Sequence, residues 1–405
     1  MTLVSRLVAA RQETDAIFEE VLPEAMYDRP IPERHRVIFY VGHLEAFDWN
    51  LLRGAGEVCS HAELDRLFAF GIDPVGGNLP TDRPDDWPGL EIVLQYRDQV
   101  RKQLDEAIAA ATTQLLNVAI EHRLMHAETL AYILHQMPFG RKRSRAMEAV
   151  LQSGASIPES VTIPAGEAVL GLRRESPVFG WDNEFDAHVV HVPEFAIDRY
   201  KVTNGEFLRF VEAGGYSNRA LWAAADWEWR TANDISHPAF WTRRRDGWLY
   251  RSMFYELPLP SDRPVYVSHA EASAYARWVG KSLPTEAEWQ RAAYGDAATT
   301  ESDAGPLTGD PMPVNHANAS CSPFGVAGMI ANGWEWTSTE FAPFPGFRPF
   351  ACYPGYSVPF FDGRHYVLKG GSARTAPCML RPSFRNWFQP HYQYTYSGFR
   401  CVTRA

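Results

Sequence analysis

Two histidines, His122 and His126, stand four residues apart in Glu121-His122-Arg123-Leu124-Met125-His126. In a helix that spacing stacks two imidazoles one turn apart on a single face. The apolar series Leu115, Val118, His122, His126, Leu130, Ile133 advances by three or four residues, so both rings fall on an inward stripe. Neutral imidazoles held at this spacing in a core can grip a metal ion. The same spacing also suits two hydrogen-bonded histidines with no ion, and the pair alone does not decide. A third histidine, His43, lies in Gly42-His43-Leu44-Glu45, beside the apolar stripe Val37, Tyr40, Leu44, Phe47, Leu51 of an earlier helical pattern.

The elements that must position these rings are helices over residues 1–150. The first is expected from near Thr2 to Glu20, stopped before Pro23, and the second after Pro32, closed by Gly54 and Gly56. A short helix fits His61 to Phe70. Residues 71–89, rich in Gly, Pro and Asp, read as a loop long enough to hint at function. A long helical pattern runs from Leu90 to Leu134 with a break near Ala110–Thr113, and Pro138-Phe139-Gly140 ends it. The basic run Arg141-Lys142-Arg143-Ser144-Arg145 is expected to be solvated surface. Four helices with a long crossover make a bundle, an architecture whose core commonly houses metals. After a linker at residues 151–158 the texture changes. Val161–Gly166 and Val189–Val192 are strand-like, and helix patterns stand out only at Asn204–Ala213 and at Ser268–Val279, continued by Thr285–Tyr294. The expected fold is therefore α+β, a bundle over 1–150 followed by a loop-rich domain over 158–405. Of 13 Trp, 17 Tyr and 23 Phe most lie after residue 180, so aromatic side chains must supply much of that second core.

Composition bounds the function. The 405 residues allow two ordinary domains, and a net charge of -10 argues against binding nucleic acid or an anionic membrane. No apolar run approaches the ~18 residues of a membrane span. The N-terminus leads into an amphipathic helix with acidic residues instead of a signal peptide. The cysteines, Cys59, Cys321, Cys352, Cys378 and Cys401, are odd in number and form no Cys-x-x-Cys, so a reduced cytoplasmic protein is expected.

The second half resembles the formylglycine-generating-enzyme-like, or sulfatase-modifying-factor, family. The matching stretches are Tyr200-Lys201-Val202-Thr203-Asn204-Gly205-Glu206-Phe207, Ala213-Gly214-Gly215-Tyr216, Leu283-Pro284-Thr285-Glu286-Ala287-Glu288-Trp289, Asn332-Gly333-Trp334-Glu335-Trp336-Thr337, Lys369-Gly370-Gly371-Ser372 and Ser397-Gly398-Phe399-Arg400. The first half resembles a DinB-like bundle, and the fusion resembles the ergothioneine-synthase family, EgtB. That resemblance implies a non-haem iron enzyme, using O2, that joins a chalcogen to the imidazole C2 of hercynine. It implies Fe(II) on His43, His122 and His126, with the C-terminal domain closing the substrate pocket. Three neutral imidazoles leave positions open for O2 and substrate, as Fe(II) catalysis requires, although a catalytic zinc stays compatible.

By the same resemblance, Asn386 of Arg385-Asn386-Trp387 would meet the hercynine carboxylate and Trp387 its trimethylammonium. Tyr353 and Tyr356 match a tyrosine pair, one of which would donate a proton. Read without the resemblance, these are packing aromatics and a turn asparagine. A departure in the metal motif is Met125, where family members often carry a glutamine. Two departures concern the chalcogen donor. The loop Gly76-Gly77-Asn78-Leu79-Pro80-Thr81-Asp82-Arg83 has one arginine where sulfur-transferring members carry two, and Phe388 replaces an acidic residue. A zwitterionic thiol would lose its charge partners. The resemblance is then closest to the selenoneine-synthase branch, SenA, which takes a selenosugar, with Asn78, Asp82 and Arg83 as candidates for sugar hydroxyls. The alternative is a sulfoxide synthase using cysteine or γ-glutamylcysteine. A true formylglycine-generating enzyme would need a close cysteine pair, absent here, and would leave the histidine-bearing bundle unexplained, while a binding module like the fold's lectin-like relatives is separated by metal analysis.

Overall fold

The structure is a computed structural model describing residues 1–53, 62–69, 79–145, 159–296, 309–316 and 319–404. Outside them fall the expected linker at 151–158, Gly54, Gly56, Cys59 and Asn78. The chain divides into two compact units: Met1–Met147 with Met253–Tyr255, and Glu148–Ser252 with Glu256–Ala405.

The helical unit contains α1 (Leu3–Glu19), α2 (Val37–Arg53), α3 (Ala62–Phe68), α4 (Leu90–Ala107) and α5 (Thr113–Gln136). Thr2 caps α1, its hydroxyl accepting from the Ser5 amide at 3.1 Å. The long pattern after Leu90 does break: Ile108–Ala110 tightens into a 3-10 turn, and extended Thr112 caps α5 by accepting from the Leu115 amide at 3.3 Å. α1 packs along α5, and α2 along α4 and α5. α5 is the central helix, buried almost all round from Leu116 to His135, so its burial exceeds the single stripe its periodicity suggests. The basic run corrects one expectation. Lys142 is buried, donating to the Leu134 carbonyl at 2.7 Å and to that of Met253, because residues 141–143 bridge back to Val21 at the end of α1. Arg143–Arg145 are exposed as expected.

The C-terminal unit is built from short pieces. β1 (Ser160–Ile163), β4 (Phe195–Asp198) and β12 (Val402–Arg404) form an antiparallel sheet in the order β1-β4-β12, and β2 (Gly166–Leu170) pairs with β3 (His188–Val192). The expected single run Val161–Gly166 is thus the end of one strand and the start of another, divided by Pro164-Ala165. β5 (Trp241–Arg244), β6 (Gly247–Arg251) and β7 (Glu256–Pro258) form a meander. The fourth sheet runs β10-β9-β8-β11, with β8 (Trp334–Glu340), β9 (Tyr366–Lys369), β10 (Asn386–Phe388) and β11 (Ser397–Gly398), the last parallel to β8. Helices α6 (Asn204–Glu212), α8 (His269–Trp278) and α9 (Glu286–Tyr294) begin at capping boxes Thr203–Glu206, Ser268–Glu271 and Thr285–Glu288. α7 (Ala224–Ala232) escapes the sequence reading, since AADWEWRTA buries only Asp226 and shows no apolar stripe.

Buried ion clusters tie these pieces together. Glu335 of β8 receives Arg400 at 2.7 Å, Lys201 at 2.8 Å and the Trp289 indole at 3.0 Å. Glu286 receives Arg385 at 2.9 Å, with Lys369 donating to the Pro382 and Phe384 carbonyls. The family-like motifs thus supply the scaffold's internal clamps. Gly370 is dictated by geometry: its φ is 98°, and a Cβ there would stand 2.4 Å from the Met329 carbonyl oxygen. Among the described residues no helix is long and apolar enough to cross a membrane, and Cys321, Cys352, Cys378 and Cys401 form no disulfide.

Candidate metal centre

α2 presents His43 and α5 presents His122 and His126. One nitrogen from each ring lies within 4.8 Å of the other two, and all three rings are buried. The Nε2 atoms of His122 and His126 face each other at 3.2 Å. His43 Nδ1 is 2.9 Å from the Phe68 carbonyl at the end of α3. A carbonyl can only accept, so this contact assigns the proton to Nδ1 and leaves Nε2 with its lone pair. Gly42 makes the approach possible, because a Cβ there would stand 2.4 Å from the Phe68 ring.

Burial decides the charge state. It pushes His43 down to about 4, despite the Phe68 hydrogen bond. His122 and His126 are pushed well below the usual imidazole range, first by burial and then by the neighbouring imidazoles and arginines, beside which a proton would be repelled. Three neutral nitrogen donors therefore converge near pH 7. Aromatic rings wall them: Phe47 stacks on His122 at 3.4 Å, Phe39 on His43 at 4.8 Å, and Tyr40 lies 5.8 Å from His126. This donor set fits a divalent transition metal with positions left open.

Beside the three histidines lies a network that the sequence reading missed. Arg123, next to His122, donates to Glu45 at 3.0 and 3.1 Å and to Asp48 at 2.6 Å, and all three are fully buried. Arg101 of α4 joins Glu45 at 2.8 Å to Asp15 of α1 at 2.6 Å. Burial would raise the Glu45 carboxyl, but Arg123 and Arg101 outweigh it and hold it at about 2. All four long helices meet in this network. The available signal was charged residues inside otherwise apolar helical runs.

The other expected site residues fall into two groups. In the helical unit, Met125 is half-buried on α5 between the paired ligands. Arg83 is exposed, and the Asp82 carboxylate is taken by Arg29, Arg36 and the Trp87 indole, donors that sequence spacing did not suggest. In the C-terminal unit, Trp387 stacks on Phe341 at 4.1 Å and meets Tyr356 edge-on at 5.3 Å. Tyr356 is buried against Trp181 at 3.9 Å, and half-buried Tyr353 lies 5.6 Å from it. Asn386 Oδ1 accepts from the Trp387 amide at 2.9 Å, and Phe388 stacks on Tyr392 at 5.0 Å.

The sulfatase-modifying factor enzyme 1-like domain family matches residues 146–405, and the DinB superfamily matches residues 6–137. The chain is 38% identical over 333 residues to the hercynine oxygenase of Mycolicibacterium thermoresistibile, covering 75% of this chain and 72% of that protein. It is 36% identical to that of Mycolicibacterium smegmatis, covering 70% of each. It is 27% identical to ergothioneine biosynthesis protein 1 of Neurospora crassa, covering 96% of this chain but 56% of the longer fungal protein. The chain belongs to the EgtB family, in which a DinB-type bundle is joined to a sulfatase-modifying-factor-type domain.

Proposed function

We propose that this protein is an Fe(II)- and O2-dependent oxidoreductase that joins selenium from a selenosugar to the imidazole C2 of hercynine. The observation that carries the reading is the buried cluster of three neutral histidines, in a chain whose relatives include hercynine oxygenases. His43, His122 and His126 would hold the iron, which supplies one-electron chemistry toward O2 and a Lewis-acidic seat for imidazole and chalcogen. Phe39 and Phe47 keep bulk water from the ligands. Asn386, with Oδ1 engaged by the Trp387 amide, would donate from Nδ2 to the hercynine carboxylate. Trp387 belongs to an aromatic group with Phe341, Tyr356 and Phe360, and its indole would receive the trimethylammonium group. Tyr353 is more exposed than Tyr356, and we assign it the proton donor's role. Phe388 stands where the family resemblance implies an acidic partner for a zwitterionic donor's amine, and its lack of charge favours a neutral donor. Arg83 and Asn78, the latter outside the described residues, are the proposed contacts for sugar hydroxyls.

A second reading, a sulfoxide synthase using cysteine or γ-glutamylcysteine, is favoured by the names of the relatives. Iron-reconstituted protein given hercynine and O2 should form a carbon–selenium product with selenosugar and little sulfoxide with either thiol. Sulfoxide with the thiols and nothing with selenosugar would establish the second reading instead. Tyr353→Phe should slow bond formation or divert turnover to oxidation of the donor alone, and an unchanged product ratio and rate would remove that assignment.

A further inference from the structure

In the helical unit two guanidinium groups converge on one carboxylate. Arg29 donates to Asp82 Oδ1 and, through Nη1, to the Pro80 carbonyl at 2.8 Å. Arg36 donates through Nε to Asp82 Oδ2 at 2.9 Å, through Nη2 to the Asp82 carbonyl at 2.7 Å and through Nη1 to the Tyr27 carbonyl at 2.6 Å. Trp87 Nε1 donates to Oδ2 at 2.8 Å. Two positive charges thus share one negative charge. Arg29 Nε is buried without a hydrogen-bond partner among the described residues. The side chains of Arg29, Arg36 and Asp82 are 15%, 13% and 22% exposed, so the cluster is reachable from solvent.

The cluster lies one aromatic layer from the metal ligands. Trp87 meets Phe39 edge-on at 5.9 Å and Phe68 at 6.2 Å; Phe39 stacks on His43, and the Phe68 carbonyl holds the His43 Nδ1 proton. A pair of arginines with forked donors is a receptor for a carboxylate. Here the carboxylate is the protein's own.

We propose that Asp82 is a specificity-determining residue, an internal carboxylate that fills the Arg29–Arg36 receptor and so turns away chalcogen donors bearing a free carboxylate. An incoming carboxylate must displace Asp82 and leave it without its cations, whereas an uncharged donor asks for no such exchange. The inference deepens the hercynine reading and rests on it for the identity of the donor, but the receptor can be tested without turnover.

The probe is glutarate, titrated by calorimetry into the metal-free full chain as wild type, Asp82→Asn and Asp82→Asn/Arg36→Gln. Glutarate should bind Asp82→Asn and neither of the others. In iron-loaded protein, the ratio of kcat/KM for cysteine to that for cysteamine, which lacks the carboxylate, should rise about tenfold or more in Asp82→Asn, the scale of one charge-assisted hydrogen bond. Asp82→Ser serves as a second variant that empties the receptor. A folded variant that gains neither glutarate affinity nor the changed ratio would overturn the proposal. Failure of both single variants to fold would assign Asp82 a structural role instead. Glutarate binding with no turnover of hercynine on any donor would keep the receptor and sink the hercynine reading, and turnover without glutarate binding would do the reverse.

Discussion

Of the three imidazoles, His43 is anchored through the Phe68 carbonyl, whereas His122 and His126 face each other at 3.2 Å, and among the described residues no fourth His, Cys or carboxylate joins the cluster. His122→Ala should therefore abolish stoichiometric iron binding while the helix persists. Metal analysis beside circular dichroism checks this, and retention of one iron per chain would exclude His122 as a ligand. A second buried histidine makes a pH lever. His269 packs on Tyr366 at 3.9 Å, and burial pushes it down to about 4 against the opposing pull of Asp226. Between the unfolded value near 6.5 and about 4 the unfolded chain holds the extra proton, so stability is full above that window and falls as pH drops through it. The loss from pH 7 to pH 5 is about 2 kcal/mol at 1.36 kcal/mol per pKa unit. His269→Gln should remove that part of the slope. Tryptophan fluorescence is the readout, since all tryptophans but Trp49 and Trp87 lie in the C-terminal unit, and equal slopes in both proteins would count against it. His43 joined the cluster only through the family resemblance, but the His122–His126 pair was legible in the sequence because both rings share a helical face. The Arg29–Asp82–Arg36 cluster was not, because its charges come from positions 53 and 46 residues apart that no periodicity links.

At the level of helices, register is what brings His43 to its partners, and the Asp15–Arg101–Glu45–Arg123–Asp48 network sets it. Arg123→Met would leave two buried carboxylates with too few cations, and breaking a buried pair from one side costs about 3–5 kcal/mol. Arg123→Met/Glu45→Met/Asp48→Leu removes the fully buried part of the network, leaves Arg101 paired with Asp15, and should recover much of that loss in urea unfolding. A triple variant no more stable than the single one would point to packing instead of charge. The contact between α2 and α3 is equally exacting. Gly42→Ala drives a Cβ into the Phe68 ring, and overpacking of this kind costs about 1–3 kcal/mol. Because Phe68 also holds His43, the variant should lose iron affinity together with stability, which titration of the metal against unfolding would resolve. The helices themselves followed from apolar periodicity and caps, including the break before Thr113. Lys142 read as solvated because its neighbours are basic, yet its partners are the Leu134 and Met253 carbonyls, one of them distant in sequence. α7 was illegible because it buries almost nothing.

The molecule as a whole joins two kinds of core. One is helical and apolar around the Asp15–Arg101–Glu45–Arg123–Asp48 network, while the other is made of short strands clamped by Glu335, Glu286 and Glu184 with their basic partners. The change of texture near residue 158 announced that difference, but the pairing of strands distant in sequence, such as β4 with β12, needed the fold. The proposed reaction draws residues from both units, which gives the two sets of variants separable signatures. The three histidines proposed to hold the iron belong to the helical unit, so Trp387→Ala should leave bound iron at wild-type stoichiometry. Its effect should fall on hercynine: losing a desolvated cation–π contact of about 1–2 kcal/mol raises KM by roughly five- to thirtyfold. Trp387→Phe keeps an aromatic face, although a weaker one, and should fall between. Steady-state kinetics with hercynine varied, beside iron analysis of the same preparations, reads both quantities. An unchanged KM in Trp387→Ala would place the trimethylammonium elsewhere, and loss of iron in that variant would show that the tryptophan supports the centre instead of the substrate.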